Sequence, residues 1–190
     1  MINLIKKKVI EKLKDDQIRL KHVFGVYETA LKLAKHYKLD EEKIAIASLF
    51  HDYTKNDDLS FYKKVLSKEM IETYQAFPVM YHALSAALIL QNEYHIDDAE
   101  ILNPIINHIW GRPHMSMYEK VVFVSDYAEP NRKFFDTHRI FDVAMKDLDL
   151  AVLMCMNLTL KYLEKLDMKP SQGQIEAYHY YMEVNSGKTQ

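Results

Sequence analysis

The sequence predicts an all-α fold, a bundle of helices with a polar site in its core. Three observations carry that reading. Only 4 Gly and 5 Pro occur in 190 residues, which is too little turn chemistry for a chain of many short strands. Apolar residues recur at i, i+3, i+4 and i+7 through most segments, the period of a helix with one buried face. Ser and Asp stand repeatedly just ahead of such segments, where their side chains accept bonds from the free amides of a first turn.

The elements follow in order. A first helix carries Ile2, Ile5, Val9, Ile10 and Leu13 at helical spacing. A second runs from about Asp16 to Tyr37, with Val23, Val26, Ala30, Leu33 and Ala34 on one face. A third starts after the N-cap Asp40 and is expected to end near Asn56. Short helices fill 58–75, capped by Asp58 and Ser67. Pro78 marks a break, and a helix from about His82 to Glu93 follows. The next begins near Asp97 or Asp98 and runs to about Trp110, where Gly111-Arg112-Pro113 forms a turn. Ser116-Met117-Tyr118-Glu119 matches a capping box, so the helix after it carries Val121, Val122, Val124 and Asp126. Helices near 134–146 and 148–167 come next, and Pro170-Ser171 separates off a last one, to about Val184. The tail Asn185–Gln190 is expected to fray. No repeat, linker or composition shift divides the chain, so one domain over 1–190 is expected.

The composition, 48% hydrophobic and 27% charged, is that of an ordinary globular chain able to bury a core. A net charge of −2 offers no basic field for nucleic acid or an anionic membrane. No apolar run approaches the roughly 18 residues of a membrane span, and the N-terminus has no signal-peptide pattern. The lone Cys155, within Leu150-Ala151-Val152-Leu153-Met154-Cys155-Met156, reads as a small buried thiol. A chain without disulfides suits the cytoplasm, the expected location.

The chemistry centres on His51-Asp52, set in the apolar run Ile44-Ala45-Ile46-Ala47-Ser48-Leu49-Phe50. An unpaired polar group in a core costs about 1–3 kcal/mol, and a charge far more, so something must compensate the doublet. A divalent metal does so, because imidazole nitrogen and carboxylate oxygen are both ligands. His22 upstream and His82, His108 and Asp126 downstream are the further candidates. Taken singly, each also reads as a hydrogen-bonded core or helix-end residue. Two neutral histidines and two aspartates together balance a dication, and ligands borne on crossing helices make a rigid site. A metal there could lower the pKa of a bound water towards about 7 and polarise a phosphoryl oxygen. Cations lie close by in sequence. Arg19 stands three positions before His22 and Lys55 four after His51, each on the same helical face as its histidine. Arg112 and Arg132 follow His108 and Asp126. A metal ringed by such groups suits a polyanion, most simply phosphate. The tyrosines, including Tyr178, Tyr180 and Tyr181, read mostly as packing.

The pattern His22…His51-Asp52…Asp126 resembles the H…HD…D signature of the HD-domain metal-dependent phosphohydrolases. The likeness is closer to their YqeK-type branch, the symmetrical bis(5′-nucleosyl)-tetraphosphatases. It is carried by Arg19-Leu20-Lys21-His22-Val23-Phe24-Gly25-Val26, His51-Asp52-Tyr53-Thr54-Lys55, His82, His108-Ile109-Trp110-Gly111-Arg112-Pro113-His114-Met115-Ser116 and Asp126-Tyr127-Ala128-Glu129-Pro130-Asn131-Arg132. The resemblance implies an all-helical HD fold, an iron site, with manganese, cobalt or zinc as substitutes, and cleavage of diadenosine tetraphosphate into two ADP. One divalent metal per chain is expected, because Lys55 on the His51 face would repel a second dication. It implies His22, His51, Asp52 and Asp126 as metal ligands. Asp52, Lys55, His82 and His108 would form the catalytic group. Arg19, Lys55, His82, His108 and Arg132 would contact the substrate's phosphates, and His22 and Asp126 would also belong to the substrate-binding set. Pro170, Ser171, Gln172, Gly173, Gln174 and Ile175 would hold the nucleoside. There the chain departs from the family, with Ser171-Gln172-Gly173-Gln174 in place of a His-Pro-x-Thr-like stretch and Tyr178 where an Arg is expected. The partners so implied are a dinucleoside polyphosphate and ADP, with no nucleic acid and no membrane; a homodimer stays open. Guanosine tetraphosphate hydrolases of the same superfamily carry a Glu-Asp pair where this chain has Lys55-Asn56, and the additional HD-GYP motif is absent. A nucleotide sensor that binds without turnover is the rival from another class, and the intact ligand set argues against it.

Overall fold

The computed structural model describes residues 1–133 and 136–187. Among these residues the regular structure is helical, with no strand, so the all-α expectation holds. The helices are α1 (Ile2–Leu13), α2 (Gln17–His36), α3 (Glu41–Phe50), α4 (Leu59–Val65), α5 (Lys68–Thr73), α6 (Met80–Tyr94), α7 (Ala99–Asn107), α8 (Met117–Ala128), α9 (Thr137–Ala144), α10 (Leu148–Lys165) and α11 (Gln172–Ser186).

Short acidic and hydroxyl side chains start most of them. Asp16, Asp40, Asp58, Ser67, Asp98, Ser116, Asp136, Asp147 and Ser171 each accept a bond from a first-turn amide. Each such cap is worth about 1 kcal/mol. Ser116 with Glu119, and Ser171 with Gln174, form complete capping boxes.

Four boundaries differ from the sequence reading. The third helix stops at Phe50, because Tyr53, Lys55 and Asp57 each donate to the carbonyl three residues back, at 3.1, 3.0 and 3.1 Å. That tight coil carries the His51-Asp52 doublet. The helix after Pro78 begins at Met80, two residues earlier than expected, so His82 lies inside its first turn. α7 ends at Asn107, and Gly111, at φ 67°, closes the turn by donating to the Asn107 carbonyl at 2.8 Å. At the C-terminus Asn185 continues α11 and donates to the Tyr181 carbonyl at 2.7 Å. Of the tail expected to fray, 188–190 lie outside the described residues, as do 134 and 135 of the helix expected from 134.

α2 packs between α3 and α8, α7 lies on α3, α6 and α8, and α9 and α10 cover the other side of α8. The core is apolar and closed: Val23, Val26, Leu33, Ile44, Leu49, Phe50, Val121, Val122 and Val124 are fully buried. Each such side chain contributes about 1.5–3 kcal/mol. Within that core the buried polar side chains include His22, His51, Asp52, His82, His108 and Glu129. No helix is long and apolar enough to cross a membrane.

Candidate metal centre

His22 is on α2, His51 and Asp52 open the coil after α3, His82 is in the first turn of α6, His108 follows α7, and Asp126 is near the end of α8. The fold brings them together. His22 and His51 meet edge to face with ring centroids 5.5 Å apart, His51 and His108 at 5.0 Å, and His82 and His108 at 5.1 Å.

Two groups of three have ligand atoms close enough to share an ion: His22, His51 and Asp126, and Asp52, His82 and His108. Asp52 stands between them. Its Oδ2 lies 3.6 Å from His51 Nε2 and 3.7 Å from His22 Nε2. Its Oδ1 lies 3.1 Å from His82 Nε2 and 3.7 Å from His108 Nε2.

The imidazoles are oriented from behind. His51 Nδ1 is 2.7 Å from the Ser48 carbonyl and His108 Nδ1 is 2.7 Å from the Ile105 carbonyl. A carbonyl only accepts, so each Nδ1 carries the proton and each Nε2 keeps its lone pair toward the centre. His51 Nε2 is buried with no hydrogen-bond partner. A buried lone pair facing two carboxylates and further imidazoles is the donor set a divalent cation takes, so the residues present fit a metal.

Electrostatics separate the members. Burial pushes His51 down to about 3 and His82 down to about 4, so both are uncharged at neutral pH. Burial works against charging His22 too, but the Asp126 and Glu129 carboxylates beside it hold its pKa up at about 9. Burial would raise Asp52, yet His51, His108, His82 and Lys55 keep its carboxyl well below the usual range. Asp126 is likewise held low, against burial, by Arg132 and His22.

Of the basic residues, Arg19 Nη1 donates to Asp52 Oδ2 at 2.6 Å, and Arg132 pairs with Asp126 and donates from Nε to its main-chain carbonyl at 3.0 Å. Lys55 Nζ lies 3.3 Å from His82 Nε2, and burial lowers its pKa. Arg112 does not join them. It is bonded through Nε and Nη2 to Glu119 at 2.7 and 2.8 Å, where it fixes the turn after α7. Pro170 and Ile175, from the segment expected to hold the nucleoside, line a separate cavity of about 720 Å³ with Lys161, Tyr178 and His179.

Two contributors escaped the sequence reading. Thr54 donates to the His82 carbonyl at 2.8 Å and shares a 2.8 Å bond with Ser85 Oγ, tying the Asp52 coil to α6. Glu129 Oε1 lies 3.0 Å from His22 Nδ1. The signal for Glu129 was its place just after the Asp126 helix.

A family model described as HD domain matches residues 19–131. The chain is 36% identical over 151 residues to the symmetrical bis(5′-nucleosyl)-tetraphosphatase of Halalkalibacterium halodurans, an alignment spanning 77% of this chain and 80% of that one. It is 33% identical over 184 residues to the protein of the same name from Staphylococcus aureus, over 95% of each. A solved structure from Clostridium acetobutylicum, described as a predicted HD superfamily hydrolase involved in NAD metabolism, is 30% identical and superposes with a TM-score of 0.84 over 97% of this chain and 98% of that one.

Proposed function

The chain belongs to the HD-domain family, and from that premise we propose that it is a metal-dependent phosphoanhydride hydrolase that cleaves diadenosine tetraphosphate symmetrically, into two ADP. The observation that carries this is Asp52, a buried carboxylate with His22 and His51 on one oxygen and His82 and His108 on the other. The curated relatives with which the chain aligns over most of its length bear the symmetrical tetraphosphatase name.

In this reading His22, His51, Asp52 and Asp126 hold one divalent metal, with iron the first expectation. The metal supplies Lewis acidity toward a phosphoryl oxygen and acidifies a water. Arg19, Lys55 and Arg132 are the cations within reach of the same carboxylates, and they neutralise the phosphate oxygens. A second dication beside Asp52, His82 and His108 would meet Lys55. Unit charges 4 Å apart at an effective dielectric of 20 repel by about 4 kcal/mol, so His82 and His108 are assigned to phosphate.

Water attacks an inner phosphorus, the bond to the central bridging oxygen breaks, and that oxygen leaves on ADP. A diphosphate leaving group needs little protonation, so a hydrogen bond from the His82 Nε2 proton suffices, with His108 Nε2 accepting from that same nitrogen at rest. Residues 170–175 are assigned to a nucleoside, and the whole chain to one domain. The test is chromatography of the products formed by metal-loaded protein from diadenosine tetraphosphate. Two ADP are expected; ATP plus AMP would overturn the symmetrical assignment, and no turnover would overturn the enzyme.

A further inference from the structure

We propose that Glu129 is the positioning residue for His22. Its carboxylate holds the Nδ1 proton and thereby fixes the ring with its Nε2 lone pair turned to the metal. The proposal rests on the ligand role of His22 given above.

Three observations meet here. Glu129 is 1% exposed, yet both its oxygens are engaged. Oε1 lies 3.0 Å from His22 Nδ1, while Oε2 accepts from the Asn131 amide at 2.7 Å and from Asn131 Nδ2 at 2.9 Å. The carboxylate is therefore locked by the chain just beyond α8 before it meets the histidine. On the other side α2 makes room for it. A Cβ at Gly25 would lie 2.4 Å from Glu129 Oε2 and 2.8 Å from Asn131 Nδ2, so the seat exists only because position 25 bears no side chain. His22 and Gly25 share a helical face, so the ring and the gap that admits its partner are set by the same turn of α2.

The chemistry follows from the acceptor count. An ionised carboxylate only accepts, so the proton between Glu129 and His22 resides on Nδ1, and the second proton of the charged, metal-free ring is the one on Nε2, which a metal displaces. His22 Nε2 faces Asp126 Oδ1 at 3.0 Å and Asp52 Oδ2 at 3.7 Å. His51 and His108 receive the same orientation from main-chain carbonyls, which carry no net charge. Glu129 adds a full negative charge behind its ligand and makes that imidazole the stronger donor. Glu129→Gln breaks the arrangement with almost no change of volume. Its amide must face either the two Asn131 donors or the His22 ring, and in the second case it donates to Nδ1 and sends the ring proton to Nε2.

The test is the affinity of chelator-treated protein for cobalt(II) alone, read by competition with a chromophoric chelator and by the visible spectrum of the bound ion. The wild type is compared with His22→Ala, Glu129→Gln and Gly25→Ala. Glu129→Gln is expected to weaken cobalt binding about 10–100-fold and to shift the spectrum, with unchanged helicity of the metal-free protein. Gly25→Ala should weaken it too, although alanine is the better helix former, because its Cβ must displace the carboxylate. Wild-type affinity and spectrum in Glu129→Gln overturn the positioning role, as does wild-type affinity in Gly25→Ala should Glu129→Gln not fold. Wild-type affinity in His22→Ala overturns the ligand reading beneath it.

Discussion

Thr54 donates its hydroxyl proton to the main-chain carbonyl of His82 at 2.8 Å, and through that bond the coil bearing Asp52 and Lys55 is fastened to α6. Tyr62 reinforces the coil by donating to the Thr54 carbonyl at 2.7 Å. Thr54→Val keeps the shape and deletes the donor, so the His82 carbonyl keeps only the longer side-chain bond from Ser85 Oγ, at 3.2 Å. It should destabilise the metal-free protein by about 0.5–1.5 kcal/mol in urea unfolding and lower turnover more than substrate affinity. A stability equal to wild type would refute the fastening.

Asp52→Ala should remove bound metal and activity together, because it deletes one of the two charges that balance the ion. It also strands Arg19, whose Nη1 rests on Asp52 Oδ2 at 2.6 Å. A loss of metal affinity beyond about 100-fold, the upper range for outer contacts alone, is the expected result of elemental analysis and chelator competition. Full metal retention would remove Asp52 from the ligand set.

His108→Ala should leave one equivalent of metal in place and lower turnover by on the order of 10²-fold, the lower range for a lost proton-transfer or hydrogen-bonding group. Two equivalents in the wild type, falling to one in the variant, would instead make Asp52, His82 and His108 a second metal site.

Glu119→Ala should be the most destabilising of these changes without touching a ligand. The Glu119 carboxylate, 1% exposed, accepts from Arg112 twice, from Asn107 at 2.9 Å and from the Ser116 amide at 2.7 Å. Breaking such a buried pair costs about 3–5 kcal/mol, discounted toward the lower end because Arg112 is partly exposed. The urea midpoint measures it. Asp40→Ala, which removes only a cap remote from the site, should cost about 1 kcal/mol and leave turnover unchanged.

The helices were legible in the sequence where local chemistry fixes them. Asp40 and the Ser116–Glu119 box start their helices through their own side chains, and the structure places both as read. The end of α3 was not legible. Tyr53-Thr54-Lys55 keeps a helical pattern of residue types, while the tightening that stops the helix at Phe50 comes from tertiary bonds of Thr54 to α6. Within the site, the His51-Asp52 doublet showed itself because charge in an apolar run needs compensation. Arg112 sits beside His108 in sequence, but the fold turns it to Glu119, and nothing in the spacing distinguishes those two destinations. Glu129 stayed hidden because its partners, His22 and Gly25, lie on a helix distant in the chain.

The separation of His22 on α2 from Asp126 on α8 bears on folding as well as on catalysis. Their meeting closes a loop containing most of the bundle, and loop closure of that length is among the slower events available to a helical chain. A cation that requires both residues therefore recognises the finished fold and no fragment of it. Its binding energy is felt by the bundle as a whole: at a concentration a hundredfold above Kd it adds about 2.7 kcal/mol to global stability. Starvation for the metal would thus show as a shorter lifetime of the protein against proteolysis.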